Sequence, residues 1–147
     1  MTAITSFPLA VALVALSACA LLDNPKPTDQ TAVVKPGLWG GAYRGGYVEI
    51  VSVSGVEADW RLHSALSIPA GDRTAWFYVY LCNQGATLCS SAVSLGQAQI
   101  SFNAQGGHTY RPRAQEQVNG SNRFSVWIED ESTSKAVSER VLSAPGS

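Results

Sequence analysis

An all-β fold, a single antiparallel β-sandwich, is predicted by three observations. Apolar and polar side chains alternate with a period of two, turn residues recur at regular spacing, and no window sustains the stripe of an amphipathic helix. In order, the candidate strands are Tyr47–Val53, Arg61–Ser67, Thr74–Cys82, Gln97–Asn103, His108–Gln115 and Arg123–Glu129, with a weaker seventh over Ala136–Val141. Their separators carry turn chemistry: Ser54-Gly55, Pro69-Ala70-Gly71-Asp72, Asn83-Gln84-Gly85, Gln105-Gly106-Gly107 and Asn119-Gly120. Gln97–Asn103 alternates most cleanly, with Ala98, Ile100 and Phe102 on one face and Gln97, Gln99, Ser101 and Asn103 on the other. Phe124, Val126 and Ile128 alternate in the same way with Ser125, Trp127 and Glu129. About seven short strands with no helix to cover them need two sheets facing each other to bury their apolar faces.

The sandwich is expected over residues 47–142, followed by a flexible tail, 143–147. Before it, residues 37–46 form a Gly-rich lead-in, read as a loop or irregular strand laid over the domain. Residues 19–36 contain Pro25, Pro27 and Pro36 and little periodicity, the composition of an extended tether. The first 22 residues carry no charged side chain, and the apolar stretch Phe7–Leu22 is shorter than the roughly 20 residues a membrane-crossing helix needs. A cleaved export signal fits that length better.

Leu16-Ser17-Ala18-Cys19 resembles the lipobox of bacterial lipoproteins, in which a signal peptide, here residues 1–18, is removed and the cysteine thiol is joined to a diacylglyceryl group. The resemblance implies a lipid-anchored, fatty-acylated protein at Cys19. With Ala20 next, it also implies the outer membrane of a Gram-negative host, facing the periplasm or the cell surface. The n-region departs from the pattern, since residues 2–6 supply no Lys or Arg. Cysteine parity then leaves Cys82 and Cys89, which pair as a disulfide across a hairpin in an oxidising compartment. A metal site is not expected, because the spacing is not CxxC and only His63 and His108 exist to complete one.

Gly107 three residues before Tyr110 resembles the tyrosine corner of immunoglobulin-like sandwiches, in which the phenol hydroxyl bonds to upstream backbone. The order of turns over residues 47–137, with Gly-Gly-His-Thr-Tyr-Arg and the closing Val-Trp-Ile-Glu-Asp-Glu, is similar to small bacterial envelope lipoproteins of unknown function with a PEGA-like or transthyretin-like sandwich. That resemblance implies an anchored accessory module and carries no reaction with it.

Ten Lys and Arg against 11 Asp and Glu give a net charge of −1, which gives no support for broad nucleic-acid binding, since that needs a strongly basic face. No nucleophile, base and oxyanion donor occur together, so no enzyme and no cofactor are expected. Neither His63 nor His108 has a nucleophile-elbow context, and Glu129-Asp130-Glu131 reads as a solvated turn. The most loaded strand is Thr74–Cys82, where Trp76, Tyr78 and Tyr80 alternate with Ala75, Phe77, Val79 and Leu81. Burial of these rings under the Gly-rich segment is the expected arrangement; the sharper reading makes them a platform for sugar rings, helped by Arg111 or Arg113. The expected function is a non-enzymatic binding or assembly-accessory module of the envelope with a protein partner. The alternative is a module for peptidoglycan or another polysaccharide that uses the aromatic strand.

Overall fold

A computed structural model describes residues 25–41, 43–58, 65–83, 89, 91–118 and 120–145. Among them are twelve strands and no helix: β1 (Thr31–Val34), β2 (Gly37–Gly40), β3 (Gly45–Val53), β4 (Val56–Glu57), β5 (Leu66–Pro69), β6 (Gly71–Cys82), β7 (Ala92–Ala104), β8 (Thr109–Glu116), β9 (Phe124–Asp130), β10 (Lys135–Ala136), β11 (Val141–Leu142) and β12 (Ala144–Pro145). One sheet runs β10-β9-β8-β1-β5, with β11 also on β9; the other runs β12-β7-β6-β3-β2, with β4 also on β3. All pairings are antiparallel except β1 with β8. The two sheets close on one apolar core built from alternate residues of the long strands, among them Val48, Ile50, Phe77, Val79, Ile100, Phe102, Tyr110, Phe124, Val126 and Ile128. The chain is an all-β sandwich.

The strand count exceeds the expected seven because short segments complete both sheets. Residues 31–36 are not a tether: Ala32, Val33 and Val34 are fully buried, and β1 lies between β5 and β8 inside the first sheet. A Pro-containing composition concealed four residues whose burial depends on partners far along the chain, Thr109 and Tyr110 on one side and Leu66–Pro69 on the other. The lead-in is likewise a sheet strand. β2 pairs along the edge of β3, with Leu38 opposite Tyr47, and does not lie over β6. At the other end, β12 pairs with Gly96 and Gln97 of β7, so residues 144–145 are part of the fold and not of a flexible tail. The sandwich therefore runs from residue 31 to residue 145. Of the expected Arg61–Ser67 strand, Leu66 and Ser67 fall in β5, which continues to Pro69; residues 61–64 lie outside the described residues.

Abrupt corners carry the chain between the sheets. Lys35-Pro36 takes it from β1 to β2, Ala70 alone from β5 to β6, residues 105–108 from β7 to β8, and Ser143 from β11 to β12. At the third corner the Gln105 amide donates to the hydroxyl of buried Tyr110 at 2.9 Å, and the His108 carbonyl accepts the Val33 amide, which ties the corner to β1. β2 approaches β8 so closely that a Cβ on Gly37 would sit 2.0 Å from the Pro112 carbonyl oxygen. Gly46 serves a neighbouring purpose. A Cβ there would meet the Tyr80 carbonyl oxygen at 1.7 Å, and that oxygen accepts the indole N–H of buried Trp39 at 2.9 Å. Trp39 in turn packs edge-on to Phe124 with centroids 4.6 Å apart, so the Gly-rich segment contributes to the core.

Candidate binding face

β6 is a central strand, paired with β3 and β7, and its alternation sorts its side chains cleanly. Ala75, Phe77 and Val79 are fully buried in the core, while Trp76 on the opposite face is 39% exposed and Tyr78 and Tyr80 are half-buried. The expected burial of these rings beneath residues 37–46 is overturned, because β2 spends its backbone hydrogen bonds on β3 and stands beside β6's neighbour instead of above β6.

Cross-strand register arranges the outer face of this sheet in rows. Leu38, Tyr47, Tyr80 and Ser94 form one, Glu49, Tyr78 and Gln97 the next, and Ser52, Trp76 and Gln99 a third. Tyr47 and Tyr80 stack at 4.8 Å, and Tyr78 meets Tyr80 edge-on at 6.1 Å. Burial pushes the Tyr80 hydroxyl up to about 12, helped by the Glu49 carboxylate to which it is hydrogen-bonded. Burial raises Tyr47 as well, again beside Glu49. Trp76 makes no ring contact with another described residue and is flanked by the hydroxyl of Ser52 and the amide of Gln99. At the far end of the face, Cys82 and Cys89 form a disulfide with Cα atoms 4.9 Å apart, which closes the β6–β7 hairpin. Leu38 and Tyr47 belong to this surface but were not legible as site residues. Both sit in or beside a Gly-rich stretch that has no periodicity of its own.

Arg111 and Arg113 are not near the aromatic rows. They stand on β8, in the other sheet, where Arg111 bonds to Glu131 at 2.6 Å and to the Pro36 carbonyl at 3.0 Å, and Arg113 bonds to Glu129 at 3.0 Å. Lys35 adds a second bond to Glu131 at 3.1 Å, and the Arg140 guanidinium lies 4.0 Å over the Trp127 ring. Arg111 and Lys35 hold the Glu131 carboxyl below its usual range, against a smaller opposing effect of burial. This face is a ladder of satisfied ion pairs.

The acidic cluster is not a solvated turn throughout, since Asp130 is 5% exposed. Its Oδ2 lies 2.6 Å from His108 Nδ1, and its Oδ1 accepts both the amide (2.9 Å) and the hydroxyl (2.7 Å) of Ser132. Burial works against its ionisation, but the hydrogen bonds from Ser132 and His108 outweigh it and lower the Asp130 carboxyl. Ser132 touches the carboxylate and not the imidazole, so the three groups do not form a nucleophile–base–carboxylate relay. Among the described residues no group of three His, Cys, Asp or Glu side chains could hold a metal ion. Cys19 and His63 lie outside the described residues.

Fold and face together define the chain as a β-sandwich with one ion-paired outer face and one aromatic outer face. No protein-family model, curated protein or solved structure matches it.

Proposed function

We infer that the chain is a non-enzymatic binding module of the bacterial cell envelope, carried on a lipid at Cys19, which takes a glycan chain along the aromatic face of its second sheet. The anchor rests on the lipobox-like Leu16-Ser17-Ala18-Cys19 and the uncharged leader before it. The observation that carries the binding reading is Trp76, an indole 39% exposed on a sheet face with Ser52 and Gln99 beside it and Tyr78 and Gln97 in the next row. Sugar rings present apolar C–H faces and a rim of hydroxyls. An exposed indole receives the first, and neighbouring amides and hydroxyls receive the second.

The test uses the full chain and two insoluble probes, purified peptidoglycan sacculi and a neutral polysaccharide. Retention on at least one is expected, with at least a tenfold loss on Trp76→Ala and none on Trp127→Ala, which alters the opposite sheet. Absence of retention, or equal retention of both variants, defeats the reading.

One observation favours a protein partner in an assembly instead. Tyr47 and Tyr80 stack on each other, Tyr78 packs edge-on to Tyr80, and Leu38, 54% exposed, extends the row of Tyr47 and Tyr80, as in a packed protein-binding patch. Crosslinking in intact cells from Leu38 to a discrete second protein, with no glycan retention, would support it.

A further inference from the structure

β7 is an edge strand for most of its length. β12 covers only Gly96 and Gln97, and from Ala98 to Ala104 no described residue pairs with the outward backbone groups. The other edges among the described residues are short or interrupted: β5 ends in Pro69, β2 ends in Gly40 with φ +75°, and β10 is two residues that include Lys135. Proteins normally blunt a long edge with charge, proline or a bulge. β7 has its irregularity opposite Val79 and Tyr80, before the open stretch, and Ala98–Ala104 contains neither charge nor proline.

The side chains of that stretch, Ala98-Gln99-Ile100-Ser101-Phe102-Asn103-Ala104, have the same character read in either direction. About Ser101, the inward row is small, large, large, small (Ala98, Ile100, Phe102, Ala104), all buried in the core. The outward row is amide, hydroxyl, amide (Gln99, Ser101, Asn103), all exposed. A strand that reads alike in both directions is complementary to itself in an antiparallel pair, which is what a two-fold axis generates. No charge on it selects an acidic or a basic partner.

We propose that β7 is a homodimerisation edge, two copies of this chain pairing antiparallel over Ala98–Ala104 about a two-fold axis at Ser101. Ser101 then faces its own copy, Gln99 faces Asn103 of the second copy, and Ile100 faces Phe102 of the second copy. The amide pair hydrogen-bonds across the seam, and the apolar pair joins the two cores. The second sheets fuse into one, and both aromatic faces come to lie on the same side of it. The seam adjoins the aromatic face, because Gln99 stands opposite Trp76, and two linked faces would raise avidity for any repeating ligand.

The register supplies the test, with the full chain in the membranes of its expression host. Ser101→Cys places two thiols directly opposite, where antiparallel partners have Cα atoms about 4.5–5.5 Å apart. Mild oxidation is expected to give a reducible species of twice the mass, well above the collision background set by Glu139→Cys. Adding Gln99→Lys and Asn103→Lys opposes like charges across the seam and is expected to abolish the species. Gln99→Glu with Asn103→Lys opposes unlike charges and is expected to restore it. Lysine at 103 suits its own chain, since Asn103 already bonds to the Asp72 carboxylate. Protease resistance of each variant in the same membranes checks that it folds. Crosslinking no greater than the Glu139→Cys background, or equal crosslinking of the two charge variants, overturns the proposal.

Discussion

Glu116, at the end of β8, is 6% exposed at its side chain, and the Arg44 guanidinium from the β2–β3 hairpin grips both its oxygens at 2.8 and 2.9 Å. The Asn122 amide adds a third bond at 3.1 Å. The Arg44 bond, opposed by burial and helped by backbone amides, takes the Glu116 carboxyl down to about 2. A carboxyl lowered on folding contributes stability that is complete above its unfolded value, about 4.3, and is lost as pH falls toward the folded value. Glu131 and Asp130 are shifted in the same direction and add to the slope. Arg44→Met is therefore expected to cost about 2–4 kcal/mol near neutrality, because it leaves a carboxylate buried without its cation. Thermal unfolding at several pH values checks the sign: the gap between the variant and the parent should narrow below about pH 4. A gap that stays constant down to pH 2 would show that the pair contributes packing alone.

At the scale of the element, β6 separates core from surface within adjacent residues. Phe77 is fully buried among Ile50, Ile100 and other core side chains, while Trp76 is 39% exposed on the other face. Phe77→Ala should cost about 3–5 kcal/mol through lost transfer energy and the cavity it leaves. Trp76→Ala should cost less, about 1–2 kcal/mol, since 39% of the residue already lies in water. Chemical denaturation measures both, and a large loss from Trp76→Ala would mean that the ring supports the sheet and is not held free for a ligand. The alternation that sorts these two residues was visible in the sequence. Which of two aromatic or apolar faces is covered was not, because a central strand flanked by β3 and β7 can bury one face under the opposing sheet and leave the other to half-buried tyrosines.

For the whole molecule, β1 has the largest consequence relative to its length. It joins β8 to β5, and β8 is the strand next to β9, so without β1 the first sheet would split between Leu66–Pro69 and the C-terminal strands. Removal of residues 25–36, harmless if the segment were a spacer, is expected to abolish cooperative unfolding and protease resistance. A folded domain after that deletion would show that the core closes without β1. The same long-range pairing, residue 33 with residue 109, places the fold among topologies that must close large loops before non-local contacts form.

The sequence by itself determined the layer architecture and the inward residues of the long strands. Ala98, Ile100, Phe102, Phe124, Val126 and Ile128 all point into the core, and their period of two is a local property. It also carried the pairing of Cys82 with Cys89, joined across the β6–β7 hairpin. Tertiary structure alone decided the rest. Short strands such as β1, β2 and β12 have too few residues to show a period, and they become strands only because a distant edge offers them backbone partners. Asp130 lies among acidic neighbours in sequence, yet it is buried because His108 and Ser132, brought to it by the β7–β8 corner and the turn after β9, satisfy its oxygens. Arg111 and Arg113 were separated from the aromatic strand for a similar reason. Sheet assignment depends on where the chain turns its corners, and a single residue, Ala70, or a four-residue corner, 105–108, suffices to send neighbouring strands to opposite layers.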